Sequence, residues 1–111
     1  MDYPLCNQTL TLYGKREGQV TRQVIHNGYL AIEEGLSHND GGPVRNFLLI
    51  VPGPQAQVYV GDRVMAGIGP AAVDWETFLP AHIPGLVEVG RTRHYRVNGE
   101  ICHTEAEQAW N

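Results

Sequence analysis

The chain has 111 residues and a mass of 12.3 kDa, close to the commonest size of a single domain, so we predict one domain spanning residues 1–111. Its 13 glycines, 7 prolines and 18% charged residues favour turns and short strands over long helices. The formal net charge of -4 excludes a whole-surface positive footprint for nucleic acid. The first residues lack the basic and apolar segments of a signal peptide, and the longest apolar run is only residues 47–51, so we expect no membrane span.

The first strand is predicted over residues 9–13, where polar and apolar side chains alternate with period two. Residues 14–18 follow as a turn, and residues 20–25 and 29–32 are the next two strand candidates. Asn27-Gly28 lies between these two and indicates a hairpin, because a type I′ turn needs positive φ at both central residues. By the same argument, Asn98-Gly99 predicts a second tight hairpin between residues 93–97 and 100–104.

The middle of the chain offers a central strand and a single helical turn. The strand candidate over residues 46–51 is apolar on consecutive positions from Phe47 to Val51, which predicts a strand covered on both faces. Asp74 is the candidate N-cap of one helical turn near residues 74–79, which Pro80 stops. The fold class is therefore predicted to be all-β and mainly antiparallel, a small barrel or sandwich of about seven short strands.

Two irregular stretches are candidates for interaction. Residues 35–44 contain turn formers and little to bury, and this loop is either functional or a tolerant connector. Residues 67–85 carry Trp75 and Phe78, which either close one end of the barrel or anchor a partner. The candidate interaction residues of the first stretch and its flank are Ser37, His38, Asn39, Asp40 and Arg45.

The motifs that resemble a nucleotide-binding or an acid–base catalytic site are better explained by structural roles. Gly67-Ile68-Gly69-Pro70-Ala71-Ala72 matches a dinucleotide fingerprint, but Pro70 removes an amide and no parallel βαβ unit surrounds it, so we predict a turn leaving a strand. Asp62 is interpreted as a turn residue that binds nearby amides. Glu33-Glu34 and Glu105-Ala106-Glu107 are interpreted as solvated carboxylates.

No catalytic, cofactor or metal site is predicted. The two cysteines, Cys6 and Cys102, make neither a disulfide framework nor a zinc site, so we expect reduced thiols. The five histidines show no metal-ligand spacing. Cys102 and His103 would point to opposite faces of a strand, which argues against a reactive pair. We therefore expect a protein that is not an enzyme.

Six groups of residues carry a resemblance that spans almost the whole chain. Their order and spacing resemble the small minor capsid proteins of tailed phages and prophages of Gram-positive bacteria. The groups are Cys6-Asn7-Gln8-Thr9 with Thr11-Leu12-Tyr13, Phe47-Leu48-Leu49-Ile50-Val51-Pro52-Gly53, Gly61-Asp62-Arg63-Val64, Gly67-Ile68-Gly69-Pro70, Ile83-Pro84-Gly85-Leu86 and Cys102-His103-Thr104-Glu105-Ala106. The last residues, 107–111, do not match the family.

The resemblance implies a structural protein of the virion, made in the host bacterial cytoplasm and placed at the head–tail connection. Proteins of this kind look like β-barrels that form rings under the portal as connector or head-completion components. The implied partners are other virion proteins (portal, adaptor or tail proteins) and further copies of this chain, with a monomer in solution left open. Contact with DNA would be at most non-specific proximity. On this basis residues 35–44 are expected to contact an adjacent ring or narrow the channel.

A second function from a different class stays open. A small β-barrel could instead be a binding module for a peptide or for single-stranded nucleic acid, which requires aromatic and basic residues interleaved on strands. The group that offers this pattern is Arg91, Arg93, Tyr95 and Arg96, and it is equally consistent with a solvated hairpin face.

Overall fold

A computed structural model describes residues 5–36 and 43–109, with the backbone alone described for residues 34–36 and 43–45. These residues form seven antiparallel strands and no helix. The strands are β1 (Gln8–Arg16), β2 (Gln19–Leu36), β3 (Pro43–Pro52), β4 (Arg63–Ala66), β5 (Val87–Glu88), β6 (Arg91–Val97) and β7 (Glu100–Glu107).

The seven strands form one sheet in the order β5-β4-β1-β2-β3-β7-β6, which curls into a half-barrel. Its two outer strands, β5 and β6, are consecutive in the chain and are separated by Val89 and Gly90 alone. The Val89 amide donates to the Asp62 carbonyl at 2.7 Å, and the Gly90 amide donates to the Glu107 carbonyl at 2.8 Å. The two ends of the sheet therefore meet at this joint, and the predicted all-β, barrel-like fold is confirmed.

The hairpin predicted at Asn27-Gly28 is wrong, because β2 continues through this dipeptide. The 18-residue strand pairs with β1 as far as Gly28 and with β3 from Tyr29 onwards. Asn27 has a φ of 64°, and the register with β1 shifts between Gln8 and Leu10. The positive φ is thus used in a β-bulge that bends the strand from one part of the sheet into the next.

Two tight hairpins do occur, each with positive φ at both turn residues. Asn98 and Gly99 have φ values of 52° and 82° between β6 and β7, which confirms the second predicted turn. The turn between β1 and β2 is formed by Glu17 and Gly18, with φ values of 52° and 81°. It lies at the end of the stretch where the sequence predicts a turn.

The main core lies on the concave face of the half-barrel. In β3, Phe47, Leu49 and Val51 are buried there, whereas Leu48 on the convex face is 37% exposed. The prediction that both faces of this strand are covered is wrong, because an antiparallel sheet can leave one face in water. The cluster comprises Leu10, Leu12, Ile25, Leu30, Phe47, Leu49, Val51, Val58, Val64, Val87, Val89 and Ala106.

The predicted helical turn is present as one isolated turn. The Phe78 amide donates to the Asp74 carbonyl at 2.9 Å, and the Glu76 amide donates to Oδ1 of Asp74 at 3.1 Å. Asp74 therefore caps the turn as expected, but no helix follows within the part of the chain that the structure describes.

Candidate docking surfaces

The predicted interaction loop is shorter than the sequence suggests. β2 and β3 remain paired as far as Leu36 and Pro43, so residues 35, 36, 43 and 44 belong to strands. Arg45 also lies in β3, opposite Glu34 in the register. The other four candidate residues, Ser37, His38, Asn39 and Asp40, lie outside the described residues. Their role in docking stays a prediction.

This hairpin extends beyond its neighbours in the sheet. β1 reaches β2 no further than Gly28, and β7 reaches β3 no further than Leu48. Residues 31–36 and 43–47, which we call the β2–β3 arm, therefore have one another as strand partners, and neither outer edge is paired by a strand of the described residues. An unpaired edge presents backbone amides and carbonyls to a further strand.

The two candidate anchor residues, Trp75 and Phe78, pack mainly within the chain. Phe78 is 5% exposed and meets the ring of Tyr13 edge to face, with ring centroids 4.7 Å apart. Trp75 is partly buried against the same cluster, which also contains Leu86. Phe78 therefore has almost no surface for a partner, and its prediction as an interface anchor is corrected. The alternative, in which these aromatics close one end of the barrel, describes their positions.

A buried arginine, Arg63, for which the sequence predicts no individual role, holds this end of the barrel in place. Arg63 is 6% exposed, and its Nη1 donates to the carbonyls of Trp75 at 2.7 Å and Phe78 at 2.8 Å. Its guanidinium lies 3.8 Å from the centroid of the Trp75 ring, and Nε donates to Glu88 at 3.1 Å. Because one side chain satisfies several groups of an irregular segment, Arg63 fixes residues 75–78 on the sheet.

The segment that resembles a dinucleotide fingerprint is tied to the sheet by side chains. The Thr11 hydroxyl donates to the Gly67 carbonyl at 2.7 Å and accepts from the Gly69 amide at 2.9 Å. The carbonyl of Pro70 accepts from Tyr13 Oη at 2.7 Å and from Arg22 Nε at 2.9 Å. The segment leaves β4 without entering a helix, so its prediction as a turn is confirmed. The amides that would cradle a pyrophosphate at a helix N-terminus are not arranged here.

Asp62 has the turn role that the sequence predicts. Its Oδ2 accepts from the Tyr59 amide at 3.0 Å, and both carboxylate oxygens bind Arg16 at 2.9 Å. Asp62 is 1% exposed, so this bidentate pair compensates a buried charge. The hydrogen bond to Asp62 raises the pKa of Arg16 above its usual value. The pair fixes the turn that joins residues 57–60 to β4.

The hairpin of β6 and β7 has exposed side chains along β6 and a balanced set of charges. Arg91 lies 3.4 Å from Glu107, and Arg93 is opposite Glu105 in the register. Three arginines of β6 are balanced by three glutamates of β7, the last being Glu100. The hairpin is therefore electrically neutral, which does not favour binding to a nucleic acid backbone.

Aromatic rings and histidines occupy the other positions of this hairpin. Tyr95 stacks on the His103 ring with centroids 4.5 Å apart, and His103 Nε2 lies 3.0 Å from Glu105 Oε2. His94 Nδ1 lies 3.0 Å from the Thr104 hydroxyl. Tyr95 stacks on a side chain of its own hairpin, so one face of the ring that would stack on a base is already covered.

A groove runs between β6 and the extended segment 57–60. It encloses about 540 Å³ and is lined by Val58, Tyr59 and Val60 on one side and by His94, Arg96 and Ile101 among others on the opposite side. Tyr59 and Val60 are 47% and 66% exposed. β6 has β7 as its strand partner, and its other edge is the outer edge of the sheet. No strand of residues 5–36 and 43–109 pairs with this edge over residues 92–97, which we call the β6 edge.

The thiols show no reactive arrangement. Cys6 is buried, and desolvation raises the pKa of its thiol, which disfavours the nucleophilic thiolate. Cys102 is half-buried, and His103 next to it binds Glu105. Both cysteines are free. Within residues 5–36 and 43–109, no three His, Cys, Asp or Glu side chains converge to hold a metal ion, and no helix could cross a membrane.

Comparisons with protein-family models, with curated proteins and with solved structures found no match for this chain.

Proposed function

We propose that this protein is a structural component of a phage virion, a minor capsid or head–tail connector protein that acts by ring assembly and docking. The order of sequence motifs supports this proposal through the family resemblance described above. One structural observation carries it further: no strand of the described residues covers the β6 edge or the outer edges of the β2–β3 arm, which extends beyond its neighbours in the sheet. Such edges are templates for pairing with another chain.

Ring assembly needs a rigid subunit with two different contact surfaces. Heterologous contacts close into rings when the rotation between subunits allows it. Rigidity here comes from the concave core and from buried polar groups such as Asp62 and Arg63, whose hydrogen bonds hold irregular segments on the sheet. The two unpaired edges lie on different hairpins, which supports a head-to-tail arrangement.

The charge distribution is compatible with packaged DNA passing close to the protein. The net charge is -4, and the arginines of β6 are balanced by the glutamates of β7. A channel lining should let the duplex slide, and few phosphate contacts serve that purpose. The same balance of charges disfavours the alternative function as a binding module for single-stranded nucleic acid. The feature that favours a binding module for a peptide is the groove beside β6.

The proposal is tested by removing the gene from the phage or prophage that encodes it and complementing the deletion with the wild-type gene in trans. We expect the deletion to yield heads without joined tails or with lost DNA, and complementation to restore infectious particles. Electron microscopy counts the particle classes, and mass spectrometry of purified virions tests for the protein. Normal numbers of tailed, DNA-filled particles that do not contain the protein would contradict the proposal.

A matched pair of variants tests whether the predicted loop takes part in docking. Deleting residues 39–43 should reduce the yield of tailed particles if the loop contacts an adjacent ring. Inserting the same number of residues at the Glu17-Gly18 turn is the control, because that turn lies at the end of a different hairpin. Equal particle yields for both variants would remove the loop from the proposal.

A further inference from the structure

The chain contains two Asn-Gly dipeptides in very different surroundings. They are Asn27-Gly28 and Asn98-Gly99, and the two asparagines have similar positive φ values of 64° and 52°. Asn-Gly is the dipeptide most prone to deamidation, because glycine has no side chain to hinder attack by its own backbone nitrogen on the asparagine side chain. Since the dipeptide and the φ are alike at both sites, the sites differ mainly in how the fold holds each peptide group.

The reaction joins two groups that are adjacent in the chain. The glycine backbone nitrogen loses its proton to hydroxide and forms a bond to Cγ of the asparagine. The Cγ–Nδ2 bond then breaks, and ammonia leaves with a proton taken from water. Water opens the resulting cyclic imide at either carbonyl, which gives aspartate or isoaspartate. Ring closure therefore needs water at the site and a peptide group that is free to rotate.

Asn98-Gly99 meets both requirements. The two residues are exposed and lie between Val97 and Glu100, the last pair of the hairpin ladder. The Gly99 amide is outside that ladder, and no hydrogen bond joins it to another residue that the structure describes. Apart from the chain neighbours, no described residue has an atom within 4 Å of a Cβ placed on Gly99. The turn thus has room for the peptide group to rotate.

Asn27-Gly28 fails the second requirement. Asn27 is exposed, but Gly28 is buried and is paired with Gln8 of β1. A Cβ placed on Gly28 would lie 2.7 Å from Cδ1 of Leu10 and 3.5 Å from the carbonyl oxygen of Ile50, so the backbone is enclosed between β1 and β3. Rotation of this peptide group requires the sheet to open locally, and the free energy of that opening lowers the rate.

We propose that Asn98 is a site of spontaneous deamidation in the folded protein and that the β-bulge protects Asn27 from the same reaction. The product adds one negative charge to a chain of net charge -4, directly after the last residue of β6. The modified residue is next to the Gly99 carbonyl, to which Arg96 Nη1 donates at 3.5 Å. This inference does not depend on a role in the virion.

The two products have different effects on the turn. Asp-Gly is also a preferred pair in a type I′ turn, so aspartate at position 98 retains the hairpin. Isoaspartate adds a methylene group to the main chain, and a turn of two residues accommodates it only if the pair of Val97 and Glu100 moves. The isoaspartyl form should therefore loosen the end of the β6 edge.

The test follows the full chain during incubation at mildly alkaline pH, both folded and unfolded in guanidinium chloride. Peptide mass spectrometry with fragment spectra measures the conversion of each asparagine. In the folded protein we expect Asn98 to convert at least about tenfold faster than Asn27, because the sheet must open before Asn27 can react. In the denaturant the two rates should approach each other, since neither peptide group is then held.

Two glycine substitutions form a matched pair for the same test. Asn98→Gly and Asn27→Gly each remove the reacting side chain and place a residue that readily adopts positive φ. Isoelectric focusing of incubated protein should show the same acidic species in the wild type and in Asn27→Gly, and far less of them in Asn98→Gly. Hydrogen exchange of the separated products should be faster at Val97 and Glu100 in the isoaspartyl form than in the aspartyl form.

Three outcomes would overturn the inference. These are a rate ratio below about tenfold in the folded protein, a ratio that the denaturant does not reduce, and acidic species that persist in Asn98→Gly. The second outcome would assign the difference to the neighbouring sequence instead of the fold. Equal hydrogen exchange in the two products would overturn the expected effect of isoaspartate on the turn.

Discussion

Residues 67–86 leave the sheet, whereas β6 and β7 are two of its strands, and the two regions satisfy their polar groups in opposite ways. In residues 67–86, side chains from the sheet bind the backbone, as Thr11 does at Gly67 and Arg63 does at Phe78. In the hairpin, Tyr95 stacks on its cross-strand neighbour His103, while the β6 edge remains open. The irregular region is therefore the fixed one, and the regular hairpin offers backbone groups to a partner.

The contrast assigns stability to residues 67–86 and docking to the β6 edge. Segments without secondary structure need external partners for their backbone groups, and here the sheet supplies them. A strand at a sheet edge needs no such help to form, but it leaves one row of backbone groups exposed. Substitutions in the fixed region should therefore lower the free energy of unfolding, and substitutions along the β6 edge should alter assembly with little effect on the fold.

The largest expected effect is that of Phe78→Ala. Removal of a buried aromatic side chain that packs on Tyr13 leaves a cavity, and we expect a loss of about 3–5 kcal/mol in the free energy of unfolding. Urea denaturation followed by tryptophan fluorescence measures it. Tyr95→Ala is the matched control on the hairpin, where we expect about 1 kcal/mol or less. Equal losses would break the contrast between the two regions.

The next effect is that of Arg63→Ala. The substitution leaves the carbonyls of Trp75 and Phe78 without their donor, and we expect a loss of about 2–3 kcal/mol. Arg96→Ala removes an exposed arginine and should change the free energy of unfolding by about 0.5 kcal/mol or less. If both variants were equally stable in urea denaturation, Arg63 would not hold the end of the barrel.

A smaller effect is expected for Thr11→Val, which keeps the shape of the side chain and removes its hydroxyl. The hydroxyl both donates to Gly67 and accepts from Gly69, so its loss should lower the free energy of unfolding by about 1–2 kcal/mol. Hydrogen exchange of the Gly69 amide gives a local measurement. An unchanged protection factor would mean that the segment is held by Tyr13 and Arg22 instead.

The smallest expected effect is on nucleic acid binding. Because the charges of β6 and β7 balance, we expect no micromolar binding of single-stranded DNA at moderate salt. Fluorescence anisotropy over a salt series measures it, and Glu105→Gln with Glu107→Gln is the informative comparison, since it leaves the arginines without their counter-charges. Steeply salt-dependent binding by the wild type would favour the alternative function over ring assembly.

The sequence was sufficient to predict the fold class but not the path of β2. Asn27-Gly28 and Asn98-Gly99 are the same dipeptide with the same tendency to positive φ, yet only the second reverses the chain. What differs is the strand that each side pairs with, and pairing between distant strands is not encoded in the dipeptide. The bend at Asn27 follows from β2 pairing with β1 on one side and β3 on the other.

The polar contacts of the fixed region were harder to predict for a related reason. Asp62 was assigned correctly because its amide partner, Tyr59, is three residues away. Arg63 and Arg16 find their partners 15 and 46 residues away, and no local pattern marks them. One signal in the sequence could have indicated a buried arginine: a charged residue at the start of an apolar strand. Arg63 has this position, directly before Val64 and Met65. The two predicted roles of Phe78, closing one end of the barrel or anchoring a partner, likewise could not be separated from the sequence. The choice depends on the position of Tyr13, on whose ring Phe78 packs.

The joint of Val89 and Gly90 gives the half-barrel a mechanical property. A Cβ at Gly90 would lie 2.1 Å from the backbone nitrogen of Ala109, so only glycine allows this close crossing. The joint links β6 covalently to β5, which is hydrogen-bonded to the strand that carries Arg63. Tension applied to the hairpin of β6 and β7 by a neighbouring molecule would thus be transmitted along the main chain to β5 and β4 at the other end of the sheet.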